Sequence, residues 1–187
     1  MKKIILASQS PRRKELLEKC GYEFEIDAAD IDETIDQGRD LDEEIKRLSF
    51  LKAECVLKRH PDCIVIGSDT IVAVDGNVLG KPADREEACA MLRQLSGRTH
   101  HVITGLTILS SQKRFTGVSV SEVTFCELTE EEVRKYADTG EPLDKAGAYA
   151  IQGIASRYIA DIKGDYYAIM GLPVCMVYEE MKNITDY

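Results

Sequence analysis

The run Ile64-Val65-Ile66-Gly67-Ser68-Asp69-Thr70-Ile71-Val72-Ala73-Val74 constrains this chain more than any other feature. A stretch so rich in β-branched apolar residues reads as a strand at the centre of a sheet, covered on both faces. Asp69 stands in the middle of it. A carboxylate buried there needs a cation, a metal or a strong set of hydrogen bonds. The alternative is a strand that ends at Gly67 and leaves Asp69 in a solvated turn.

The rest of the chain supplies the partners for such a strand. Lys3 to Ala7 reads as a short buried strand, and Ser10-Pro11 opens a helix that Gly21 closes. Tyr22, Phe24 and Ile26 alternate as a strand does. After an acidic, irregular stretch from Asp27 to Asp42, a helix is expected from about Leu41 to Arg59, its apolar stripe formed by Ile45, Leu48, Cys55 and Val56. Asp75-Gly76 signals a hairpin turn. Asp84 with Glu87, and Thr129 with Glu132, read as capping boxes of two further helices. His101–Leu109 and Phe115–Phe125 read as strands, and Tyr158–Ile162 and Tyr166–Ile169 as a hairpin about Lys163-Gly164-Asp165. Leu172 to Asn183 reads as the last helix, docked by Val174, Val177 and Met181. Strands and helices do not alternate regularly, so a mixed α/β sheet is expected rather than a pure doubly wound one.

Composition bounds what such a fold can do. A chain of 187 residues with 44% hydrophobic content suits one compact domain over 1–187, with room for two lobes. No apolar run reaches the roughly 20 residues a membrane span needs. The apolar N-terminal stretch stops at Ser8, before Pro11-Arg12-Arg13, which argues against an export signal. The formal net charge of -9 works against a stable complex with nucleic acid. None of the six cysteines forms a Cys-x-x-Cys pair, so reduced, mostly buried thiols are expected rather than a zinc site. His60, His100 and His101 accompany no nucleophile or zinc motif.

Several residues are out of keeping with their surroundings. Arg12 and Arg13 enter the first turn of a helix, where positive charge is unfavourable unless an anion binds there. The other reading is a solvated basic turn. Lys52 falls on the apolar stripe of its helix, either snorkelling to solvent or directed into an anion site. Gly76 to Pro82 imitates a phosphate-binding loop but fails, because Pro82 stands where a Ser or Thr would bind magnesium. Lys81 is then either a surface lysine or a group returning towards Asp69. Glu33 closes an acidic string that is either a solvated loop or a source of a second carboxylate for a hard, oxygen-seeking ion. Gln152 is polar within a Gly-rich apolar stretch, where an amide reads a base edge or caps a loop.

Five stretches together resemble the Maf family of nucleotide pyrophosphatases. They are Leu6-Ala7-Ser8-Gln9-Ser10-Pro11-Arg12-Arg13, Asp32-Glu33-Thr34, Gly67-Ser68-Asp69-Thr70, Leu79-Gly80-Lys81-Pro82 and the run from Asp144 to Gly153. The resemblance implies an elongated mixed α/β fold with a central nucleotide-binding cleft, often a cytoplasmic homodimer, and a divalent cation (Mg2+ or Mn2+). It implies cleavage of a nucleoside triphosphate between the α- and β-phosphates. Asp69 matches the family's catalytic carboxylate, and Arg12, Thr70 and Gln152 match positions linked to substrate choice. Their combination resembles the subfamily that accepts dTTP and UTP, with a house-cleaning role on modified pyrimidine nucleotides in keeping. Glu33 and Asp69 would hold the metal; Ser8, Arg12, Arg13, Lys52, Thr70, Lys81 and Gln152 would bind the nucleotide. Asp69 is either the base that activates water or a metal ligand only. A 7-methyl-GTP pyrophosphatase, and a nucleotide-binding regulator of septum formation, are the readings left beside it.

Overall fold

The computed structural model describes residues 2–36 and 38–185. Seven strands form one mixed sheet. They are β1 (Ile4–Leu6), β2 (Phe24–Ile26), β3 (Ile64–Val74), β4 (Asn77–Leu79), β5 (Thr99–Leu109), β6 (Arg114–Phe125) and β7 (Ile159–Lys163), in the order β2-β1-β3-β5-β6-β7 with β4 on β3. The helices are α1 (Pro11–Glu18), α2 (Leu41–Arg59), α3 (Arg85–Leu95), α4 (Glu130–Ala137), α5 (Tyr166–Met170) and α6 (Val174–Thr185). The expected mixed α/β class is what the chain adopts.

Two compact units divide these elements. The first runs to Thr70, takes Thr104–Ser119 and resumes at Gly171; the second comprises Ile71–Ile103 and Val120–Met170.

In the first unit β1 pairs in parallel with β2 and with β3, in a register that sets Leu6 beside both Ile26 and Ile66. Beyond Leu6 the chain leaves the sheet, while β3 continues through Gly67, Ser68 and Asp69. That places Asp69 at the carboxyl end of a parallel pair, where open α/β sheets hold their ligands. The core beneath it gathers Ile5, Ala7, Ala53, Val56, Val65 and Leu109. Two glycines bring α2 onto the sheet. A Cβ at Gly67 would stand 2.4 Å from Ser49 O, and one at Gly105 2.4 Å from Ile45 O. Both obstacles are α2 backbone, so only glycine lets the helix lie this close.

In the second unit β3 turns through Asp75-Gly76 into antiparallel β4, as the hairpin signal predicts. His100, Phe125 and Tyr149 pack edge to face in its core, with ring centroids 5.0 to 5.5 Å apart. The reciprocal capping box at Thr129 and Glu132 forms. At α3 only half of one does. Asp84 accepts from Glu87 N at 2.8 Å, but Glu87 reaches back to Ala83 N at 2.6 Å, one residue early.

Other sequence expectations give way. Tyr166–Met170 is a helical turn, not a strand. Asp165 Oδ1 accepts from the backbone N–H groups of Tyr167 and Ala168 at 2.8 and 3.2 Å, an N-cap that draws the chain into a helix. The antiparallel partner of β7 is therefore β6, with Val123 opposite Ile162. α1 stops at Glu18, before Gly21. The cysteines are all free, but only Cys89 is buried, and Cys126 and Cys175 are exposed, because each lies off the apolar face of its segment.

Candidate active site

Asp69 lies inside β3 and is 9% exposed, so the solvated-turn reading falls. Gly67 and Asp69, two residues apart on a strand, share the face that meets α2. Lys52 of α2 is 5% exposed and does not snorkel. Its Nζ donates to Asp69 Oδ1 at 2.6 Å and lies 3.0 Å from Glu33 Oε1. One ammonium thus joins two carboxylates from distant parts of the sequence. A buried charge with a close, hydrogen-bonded partner is tolerable where a lone one is not.

Glu33 arrives by local turn chemistry. Asp32 Oδ1 accepts from Thr34 N at 2.9 Å and from Thr34 Oγ1 at 2.6 Å, folding the chain over itself. Arg47 on α2 donates to Thr34 O at 3.2 Å and grips the buried carboxylate of Glu44. Those contacts fasten the loop to the helix that carries Lys52. The Arg47 hydrogen bonds also hold the Glu44 carboxyl below the usual carboxylate range.

The basic turn is a built structure as well. Ser10 caps α1 by accepting from Arg13 N, and Pro11 takes the first helical position. The Arg13 guanidinium folds back across the site. Its Nε donates to Gly171 O at 2.9 Å, Nη1 to Ser8 Oγ at 3.3 Å and Nη2 to Thr70 Oγ1 at 3.4 Å. Nη2 also stands 3.8 Å from Asp69 Oδ1. Burial pushes the Arg13 pKa down; the charges of Asp69 and Glu33 counter it, and that of Arg12 adds to it. Arg12 is half-buried in the same turn.

The first unit therefore gathers Ser8, Arg13, Glu33, Lys52, Asp69 and Thr70, with Arg12 beside them. Lys81 and Gln152 belong to the second unit, where both are exposed. Lys81 follows Gly80, whose carbonyl accepts from Gly147 N at 3.0 Å, so two of the five motifs are joined there. The loop carrying Gln152 is pinned on either side. Tyr136 OH accepts from Ala150 N at 3.2 Å, and Glu141 Oε2 accepts from Ile154 N at 3.1 Å.

Some contributors escaped the sequence reading. Gly171, Thr104 and Ser68 support Arg13 and Thr70 from within: Ser68 Oγ lies 2.9 Å from Gly105 O and 3.0 Å from Gly171 O, and Thr104 Oγ1 donates to Thr70 Oγ1 at 3.0 Å. Glu141 and Tyr136 do the same for the Gln152 loop. Only Ser68 falls in a motif. A threonine in a strand and a glycine in a turn look ordinary.

Asp69 Oδ1 and Glu33 Oε1 converge on a single cationic nitrogen, and both are hard oxygen donors. Such a pair fits a magnesium-like ion that draws its remaining ligands from phosphates and water. Among the described residues no group of three or more His, Cys, Asp or Glu side chains is placed to hold a metal. Among the described residues no helix is long and apolar enough to cross a membrane.

Comparison with known proteins places this arrangement in a family. A family model described as Maf-like protein matches residues 3–184. A protein of Geobacillus sp. (strain WCH70) named dTTP/UTP pyrophosphatase is 47% identical over 184 residues, 98% of this chain and 99% of its own length. One from Bacillus pumilus (strain SAFR-032) with the same name is 47% identical over 174 residues, 93% of this chain and 92% of its own. One from Bacillus anthracis, again so named, is 48% identical over 182 residues, 97% and 95% of the two chains.

Proposed function

The chain belongs to the Maf-like family, and from that premise we propose that it is a pyrophosphatase converting dTTP and UTP to the monophosphate and pyrophosphate. The observation that carries this reading is the buried Asp69–Lys52 pair, joined by the exposed carboxylate of Glu33 and the partly buried guanidinium of Arg13. Two carboxylates and two cations at the carboxyl end of parallel strands suit a polyanion whose charge must be neutralised before a nucleophile approaches.

Each group then has a task. Arg12, Arg13, Lys52 and Lys81 bind phosphate oxygens, the guanidinium forks matching them in pairs. Ser8 keeps Arg13 in place and Gln152 reads the base. Asp69 Oδ1 is engaged by Lys52, whereas no described residue donates to Oδ2. Oδ2 takes the proton of the water that attacks the α-phosphorus, and pyrophosphate leaves. A magnesium or manganese ion held by Glu33 and Asp69 supplies charge neutralisation on the triphosphate when bound. The chain works as one domain, in the cytoplasm, as a homodimer, and forms no stable nucleic-acid complex; the net charge of -9 supports the last point.

A panel of nucleoside triphosphates, incubated with and without magnesium, tests the reading by the identity of the products. The expected result is monophosphate plus pyrophosphate from dTTP and UTP, lost on chelation. Preference for 7-methyl-GTP would move the substrate to another subfamily. Tight nucleotide binding without turnover would make the protein a regulator instead.

A further inference from the structure

Thr104 lies outside every motif named above. It sits in mid-β5 and is completely buried, and its hydroxyl donates to Thr70 Oγ1 at 3.0 Å. Arg13 Nη2 donates to the same oxygen at 3.4 Å. A hydroxyl oxygen has two lone pairs and one proton. With both lone pairs engaged, Thr70 has only its proton left to offer. Thr70 is half-buried, adjacent to Asp69, and no described residue accepts that proton. Arg13 cannot turn aside to release the oxygen without giving up Gly171 O at 2.9 Å and Ser8 Oγ at 3.3 Å.

We propose that Thr104 is a positioning residue which, together with Arg13, fixes the Thr70 hydroxyl as a hydrogen-bond donor to an oxygen acceptor of the bound nucleotide. This rests on the nucleotide reading above and gives the site a polarity. Thr70 accepts nothing from the substrate. A nucleotide offers two kinds of acceptor oxygen, on the phosphates and on the base carbonyls. If the partner is the carbonyl at position 4 of thymine or uracil, cytosine is rejected. Its amino group would face the Thr70 proton donor to donor, and both would lose their hydrogen bonds.

The test is Thr104→Val, which keeps the shape and removes the donor. Its readouts are turnover of UTP and CTP, and affinity for the non-hydrolysable analogue α,β-methylene-UTP by calorimetry. Thr104→Val is expected to raise KM for UTP and Kd for the analogue about 3- to 10-fold, with kcat within about twofold. Thr104→Ser restores both. Thr70→Val weakens binding at least as much, and adding Thr104→Val to it costs nothing more, since the two act through one oxygen. Loss of the UTP-over-CTP preference in Thr70→Val assigns the acceptor to the base; an equal loss on both nucleotides assigns it to phosphate. Unchanged affinity in Thr104→Val, or additive effects in the double variant, would overturn the proposal. Thr70→Val decides the donor role even if Thr104→Val does not fold, because unchanged affinity there overturns it too. A parent protein that binds the analogue but leaves UTP intact contradicts the hydrolase reading and not this one; one that binds no nucleotide contradicts both.

Discussion

Asp69 and Lys52 show how a site can be written into two residues that do not suit their places. An aspartate amid valines and isoleucines, and a lysine on an apolar helical stripe, each pose a desolvation problem that the other solves at 2.6 Å. Each charge was legible because its apolar context made it conspicuous, but that the two meet was not, since nothing in the sequence says which cation reaches Asp69. Thr104 and Gly171 had no such contrast, for a threonine suits a strand and a glycine suits a loop. Asp69→Asn preserves size and lets Lys52 keep Glu33 at 3.0 Å. Destabilisation should therefore stay below the ~3–5 kcal/mol of a broken buried pair. Turnover should fall by at least about 100-fold, since an amide neither takes a proton nor carries charge. Steady-state kinetics beside a thermal melt checks both; turnover within tenfold of the parent would remove Asp69 from the mechanism. His100 makes a second residue-scale prediction. Burial, and then the charge of His101, pushes its pKa from 6.5 down to about 4. Its Nε2 meets Tyr149 OH at 2.8 Å, while Nδ1 is buried without a partner among the described residues. The unfolded chain takes up this proton below about pH 6.5 and the native one only near pH 4, so stability is unaffected above that window and falls as the pH drops through it. The loss reaches at most about 3 kcal/mol. Denaturant midpoints at about pH 7.5 and pH 5 should diverge for the parent and much less for His100→Gln. Equal divergence would assign the effect to other groups.

Elements were legible where a periodicity or a cap announced them. α2, the long strand β3 and its hairpin stand where their patterns put them. The exception at Tyr166–Met170 arose because alternation over so short a run cannot tell a strand from a helical turn, and Asp165 settled it as an N-cap. The closeness of α2 to the sheet was invisible, since a glycine says nothing about which neighbour needs the space. Gly67 supplies the test. An alanine Cβ would stand 2.4 Å from Ser49 O and 2.8 Å from Ala53 N, both backbone. Gly67→Ala must lift α2, at a cost of at least about 1–3 kcal/mol. Lys52 rides on that helix, so the melting temperature should fall and KM rise together. A parent-like melt with parent-like KM would show that α2 does not depend on this contact.

At the scale of the whole molecule, net charge and site charge point in opposite directions. The chain carries a formal net charge of -9, yet it focuses Arg13 and Lys52 on one small volume beside two carboxylates. Composition is silent on where charges meet, and only tertiary structure could unite Ser8, Glu33, Lys52 and Asp69 from four separate segments. The named relatives match nearly the full length of this chain, and every segment that contributes to the site lies within the matched stretch. The proposed chemistry has one signature that no binding assay supplies. Water attacks the α-phosphorus, so the oxygen it brings must stay with the monophosphate. Hydrolysis of dTTP in 18O-water, read by mass spectrometry, should place the label in dTMP and leave pyrophosphate unlabelled. Label in pyrophosphate, or release of orthophosphate, would contradict cleavage at the α-phosphorus and the role given to Asp69.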